Sequence, residues 1–135
     1  MIIVDETILL RYLLDDDEVL SGRAREIIAK GNAVTYPEIP ARTVVTLRDV
    51  YTVPRPVIGA AIEALLDDVK VQAEPEVARL AVRLFGSTRM DFTDCLMAAR
   101  NMVNGDTLAS FDKSVVQHAI ETENGARRGR PATGR

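Results

Sequence analysis

Apolar residues open the chain as an unbroken run, Met1 to Val4, and then change period. A continuous β-branched run of this kind predicts a strand buried on both faces. Ile8, Leu9, Leu10, Leu13 and Leu14 follow at helical spacing, so strand passes to helix with Asp5 at the junction. Open α/β sheets bind ligands just beyond the carboxyl ends of their parallel strands, which is where this pattern delivers Asp5.

The same alternation continues. Asp15-Asp16-Asp17-Glu18 interrupts the apolar pattern as a solvated turn that supplies an N-cap to a second helix, about Val19 to Lys30, with Leu20, Ala24, Ile27 and Ile28 on one face and a stop at Gly31. Val34 to Tyr36 predicts a second strand. A third helix runs from about Pro40 to Tyr51 with Val44, Leu47 and Tyr51 inward, and Arg55-Pro56 opens a fourth whose inner set is Val57, Ile58, Ala61, Ile62, Leu65 and Leu66. Val69 and Val71 mark a third strand. Pro75 begins a fifth helix, stopped by Gly86, and a sixth starts at Asp91 and buries Phe92, Cys95, Leu96, Ala99, Met102 and Val103. Thr107 to Phe111 predicts a further strand closed by Asp112, and a last helix spans about Ser114 to Glu121. Strands alternating with helices predict an α/β fold, a parallel sheet of about four to five strands flanked by helices.

Length and composition add bounds. A chain of 135 residues is one domain, here 1–123, followed by a basic tail, 124–135. Net charge is −3, and because the last twelve residues hold Arg127, Arg128, Arg130 and Arg135 and no acid, the first 123 carry −7. The tail reads as a flexible terminus or as an arm that attracts nucleic acid. No apolar run reaches the length of a membrane span, and the apolar start is too short for a secretory signal. Cys95 is the single cysteine, which excludes an intrachain disulfide and fits a cytoplasmic location. It lies on an apolar helix face as a packed, inert thiol, and His118, the single histidine, reads as a surface residue.

The candidate chemistry lies in the acids. Asp5 and Asp112 end strands, and Asp91 and Asp94 occupy the first turn of a helix. Asp91, Asp94 and Asp112 each have an ordinary reading as helix caps or dipole partners. Asp5 directly after a buried strand is costlier to leave unused. If these carboxylates converge, their repulsion demands a divalent cation, and hard ions such as Mg²⁺ or Mn²⁺ prefer oxygen ligands. The chemistry natural to such a site is phosphoryl transfer.

IIVD before a Leu-rich helix, then DFTDCLMAARN and TLASFD in order, resembles the PIN-domain family and most closely its VapC-type toxins, over roughly residues 1 to 115. The resemblance implies a three-layer α/β fold, dependence on Mg²⁺ or Mn²⁺, and cleavage of single-stranded RNA by the toxin component of a toxin and antitoxin pair. It further implies a homodimer and a cognate antitoxin as partners. By motif position Asp5, Asp94 and Asp112 match the family's catalytic, metal-binding acids, with Asp91 as an additional metal-facing neighbour.

Two positions depart from the family pattern. Glu6-Thr7 replaces the usual Thr and Asn or Ser after the first Asp, which keeps a hydroxyl and adds an acid of undetermined direction. Arg42 stands where the family has a metal-facing Glu, an exchange that reverses the charge and lowers the expected affinity for metal. Glu38, four residues earlier, is placed to pair with Arg42 or to substitute as a carboxylate. The alternative function is therefore a PIN-like protein of impaired catalysis that acts by binding antitoxin or RNA. A phosphotransfer fold of another kind fits less well: Thr7 stands where HAD-type phosphatases place a second Asp, and Lys113 is one residue late for a receiver-like domain. With three Tyr and three Phe the chain offers no evident stacking platform for bases, so Arg11, Arg89 and Arg100 are the candidates for phosphate contacts.

Overall fold

The computed structural model describes residues 1–117. The tail, His118 and the end of the last helix lie outside the described residues, as does the domain boundary expected at 123. The elements run β1 (Ile2–Ile3), α1 (Glu6–Leu14), α2 (Glu18–Ala29), β2 (Ala33–Thr35), α3 (Glu38–Asp49), α4 (Arg55–Leu65), β3 (Lys70–Val71), α5 (Pro75–Ser87), α6 (Phe92–Asn104) and α7 (Lys113–Val116). The fold is α/β, mostly helical, around a small parallel sheet in the order β1-β2-β3. Ile2 pairs with Ala33 and Val34 with Lys70, so β2 is central and its three residues are all buried.

The sheet is smaller than expected: three strands among the described residues, not four to five. Residues 107 to 111 contribute an isolated bridge at Leu108 rather than a strand. Side chains take up backbone groups around that segment, Asn101 Nδ2 donating to the Asp106 carbonyl at 2.6 Å and Asp112 N donating to Ser110 Oγ at 3.0 Å. β1 is not buried on both faces either. It lies at the edge of the three-stranded sheet, and although Val4 is 1% exposed, Ile3 is 68% exposed.

Helix limits follow the punctuation of the sequence. Asp17 caps α2 by accepting from Val19 N at 3.1 Å and Leu20 N at 2.8 Å, as expected of the acidic turn. Gly105, in the left-handed region at φ 76°, closes α6. Leu20, Tyr51, Val57 and Val103, which periodicity turns inward, are exposed instead. The fully buried core includes Leu9, Val44, Ile58, Ile62, Val69 and Phe85. Phe85 and Phe92 meet edge to face with ring centroids 5.9 Å apart, joining α5 to α6.

Three contacts hold the frame behind the candidate site. A Cβ on Gly59 would lie 2.9 Å from Gly86 Cα, so α4 and α5 cross at backbone contact. Arg55, at the start of α4, stacks its guanidinium 3.7 Å from the Phe85 ring centre. Its Nε donates to the Phe85 carbonyl at 3.1 Å and its Nη2 to the Met90 carbonyl, which fixes the approach to Asp91. Before α5, Ala73 and Glu74 both have positive φ, 63° and 50°, and Glu74 is held by Arg100 of α6 through hydrogen bonds of 2.9 to 3.2 Å.

Candidate active site

Asp5 is the N-cap of α1. Its Oδ1 accepts from Thr7 N at 2.9 Å, Thr7 Oγ1 at 2.6 Å and Ile8 N at 3.3 Å. The Thr7 hydroxyl is the main cause of its lowered pKa, ahead of the backbone donors. The hydroxyl retained at position 7 thus serves the cap itself. Asp112 caps α7 in the same manner, its Oδ1 accepting from Ser114 Oγ at 2.7 Å and Ser114 N at 2.9 Å, and its pKa is lowered, first by the Ser114 hydroxyl.

Asp91 and Asp94 behave differently. Asp91 occupies the N-cap position of α6 yet makes no side-chain cap bond, so its carboxylate is available to other groups. It is 80% exposed, and Arg48 Nη1 approaches it at 3.9 Å. Asp94, partly buried one turn into α6, has its pKa raised, first by burial and then by the negative charges of Asp112 and Asp91. No donor or cation offsets that cost among the described residues. A carboxylate held against its own solvation and against two like charges is a common mark of a functional site.

Asp91 and Asp112 thus both act on Asp94, from the start of α6 and of α7, and Asp5 is held by its own cap at the start of α1. All four donors are carboxylate oxygens, the type a hard dication takes. The cap bonds on Asp5 and Asp112 fall on Oδ1, and among the described residues Oδ2 of each takes no hydrogen bond. Among the described residues no group of three such side chains is poised to hold a metal ion. Carboxylate oxygens as donors fit Mg²⁺ or Mn²⁺.

Beside these acids lies a cavity of about 550 Å³ whose charged and polar lining is Glu6, Arg42, Thr46, Arg48 and Asp91. Glu6, whose direction the sequence left undetermined, turns toward α3. Its Oε2 accepts from Thr46 Oγ1 at 2.5 Å, and its Oε1 lies 3.4 Å from Arg42 Nε. Arg42 is thus paired with Glu6, not with Glu38. Thr46 and Arg48 carried no sequence signal; both are half-buried on α3, flanking the stripe of buried Pro40, Thr43, Val44 and Leu47.

Of the arginines considered for phosphate, Arg11 is tied to Asp16 at 2.7 Å and to the Tyr51 hydroxyl at 2.9 Å, Arg100 is tied to Glu74, and Arg89 is exposed. Cys95 is buried as expected, and burial pushes its thiol pKa up to about 11. No helix of the described residues is long and apolar enough to cross a membrane. No family model, no curated protein and no solved structure matches this chain.

Proposed function

We propose that this chain is a metal-dependent endoribonuclease of PIN type, cutting single-stranded RNA as the toxin of a toxin and antitoxin pair. On this reading it has the three-layer PIN architecture, works in the cytoplasm and forms a homodimer. The observation that carries the reading is the state of Asp94, an acid kept partly buried under the negative charges of Asp112 and Asp91 with no offsetting cation among the described residues. In water such an arrangement is relieved by protonation or by a divalent ion. Asp94 and Asp112 would hold the ion, with Asp91 beside them and Asp5 contributing its second oxygen. Bound Mg²⁺ or Mn²⁺ supplies a more acidic water and neutralises charge at a phosphate.

The chain's own contributions are orientation and charge. The cap bonds of Asp5 and Asp112 fix the direction of each carboxylate, and Arg55 fixes the Met90 carbonyl next to Asp91. The test is cleavage of single-stranded and structured RNA with Mg²⁺ or Mn²⁺ by the wild type, Asp94→Asn and Asp5→Asn. Loss of cleavage in Asp94→Asn is expected; equal activity of wild type and Asp94→Asn would remove the assignment.

A second reading, a PIN-like protein of impaired catalysis that binds antitoxin or RNA, is favoured by one observation: Arg42 sets a guanidinium against Glu6 on the cavity beside the acids. Under it, Arg42→Glu raises Mg²⁺ affinity and switches cleavage on. No change in either quantity argues against this alternative.

A further inference from the structure

Charge is divided along this chain: residues 1–123 carry a net −7, while 124–135 hold Arg127, Arg128, Arg130 and Arg135 and no acid. The nuclease chemistry gives those four arginines no role.

The described part of the chain has little cationic surface to meet a polyanion. Arg11, Arg25, Arg48, Arg79, Arg83 and Arg100 each hold a carboxylate. Arg55 is drawn onto two backbone carbonyls and the Phe85 ring. A guanidinium bound to a carboxylate is a poor ligand for phosphate, because the two anions compete for one set of donors. Exposed Arg23, Lys70 and Arg89 are distributed over α2, β3 and the turn before α6. A body of net −7 repels a polyanion at long range, so attraction has to come from a dense block of positive charge.

Segment 124–135 has that density, with Arg127, Arg128 and Arg130 inside four consecutive positions and no lysine, aromatic or large aliphatic residue among them. Guanidinium forks bind phosphate through paired hydrogen bonds. The lack of rings and aliphatic side chains removes stacking on bases by aromatic residues and removes insertion into a bilayer. Such a segment reads the backbone of a nucleic acid and not its sequence. It also follows α7, the helix that Asp112 caps, and about ten residues, at most about 35 Å of chain, separate Gln117 from Arg127.

We propose that segment 124–135 is a sequence-independent anchor for the phosphate backbone of a nucleic acid, separate from the acid cluster, with Arg127, Arg128 and Arg130 as its principal contacts. That the anchor keeps a strand near Asp112 for cleavage rests on the nuclease reading; the anchoring itself does not.

The test is fluorescence anisotropy of the full chain with labelled single-stranded RNA and DNA of about twelve nucleotides, in EDTA, between about 50 and 200 mM salt. Each phosphate contact on a single strand adds about −0.7 to the slope of log K against log salt, so the four arginines predict about −3. Replacing Arg127, Arg128 and Arg130 by Gln is expected to weaken binding about tenfold or more at the lowest salt and to flatten the slope by about 2. The matched set Arg23→Gln, Lys30→Gln and Lys70→Gln removes three exposed cations of the described body and should leave the slope unchanged. RNA and DNA should respond alike. Equal flattening by the two sets would make net charge the cause and overturn the proposal. Tighter binding by the Arg127, Arg128 and Arg130 variant would place the arginines on the chain's own acids and overturn it as well. An effect confined to RNA, or stronger retention on phosphatidylserine vesicles than on either strand, would do the same. A slope set by the arginines with no cleavage on adding Mg²⁺ ends the nuclease reading and keeps this one. Cleavage with a slope that ignores them does the reverse.

Discussion

Thr46 and Glu6, 40 residues apart in sequence, are joined by a hydrogen bond from the Thr46 hydroxyl to Glu6 Oε2. The bond ties α3 to the first turn of α1, and it turns the carboxylate that follows Asp5 toward the cavity. Thr46→Val removes the donor and keeps the shape, leaving a carboxylate that is 19% exposed without its shortest partner. The expected cost is about 1–3 kcal/mol, read as a lower urea midpoint with unchanged slope.

Asp94→Asn should stabilise the protein at neutral pH. The folded-state pKa of Asp94 is raised, so the acid favours the fold while it is protonated and loses that contribution as pH rises through the folded pKa. Above that pKa the ionised form carries the cost of burial and of its two acidic neighbours. The variant is expected to gain about 0.5 kcal/mol or more at pH 7 and to lose the gain as pH falls below the ordinary carboxyl range. Denaturation curves at the two pH values check the sign. Added Mg²⁺ should raise the melting temperature of the wild type and not that of the variant, by mass action on the folded form.

Arg55→Met should destabilise strongly. The substitution keeps an apolar stem over Phe85 but removes the donors to the Phe85 and Met90 carbonyls and the cation on the ring. Lost hydrogen bonds and a lost cation–π contact together predict about 2–4 kcal/mol, measured by urea denaturation. Amide exchange should quicken first around Met90 and the start of α6, because those groups lose their anchor.

Gly59→Ala tests the crossing of α4 and α5. Elsewhere in a helix this exchange gains stability, but here the new methyl group meets the Gly86 backbone at 2.9 Å. A destabilisation of about 1–3 kcal/mol is expected, with a lower melting temperature as the readout. Gly22→Ala on α2, where the nearest atom is the flexible end of Arg25 at 3.7 Å, should instead be neutral or stabilising.

The helices were legible because their signals are local: apolar spacing, Asp17 as a cap and Gly105 as a stop. Strand number was less so. The TLASF run has the alternation of a strand, but Asn101 and Ser110 side chains take up neighbouring backbone groups, and that competition depends on contacts the period does not encode. Asp94 was singled out from its place in the DFTD motif, and its pKa is raised by burial first and then by Asp112 and Asp91. Asp5 was expected in the same cluster; the cap that Thr7 makes with its Oδ1, two residues away, had no signal in the strand-to-helix pattern. The direction of Glu6 was not readable, since the Thr46 and Arg42 that fix it come from another helix.

The turn at Ala73 and Glu74 places two residues with side chains in left-handed backbone, a conformation costing roughly 1–2 kcal/mol per residue, and Arg100 clamps the second of them. The clamp is reached from α6, the helix that also carries Asp91 and Asp94. Severing it removes the side-chain anchor of a strained turn at the entrance to α5, which releases that strain into the hinge between β3 and α5. The acid-bearing helix and the left-handed turn before α5 are thus fastened by the same guanidinium.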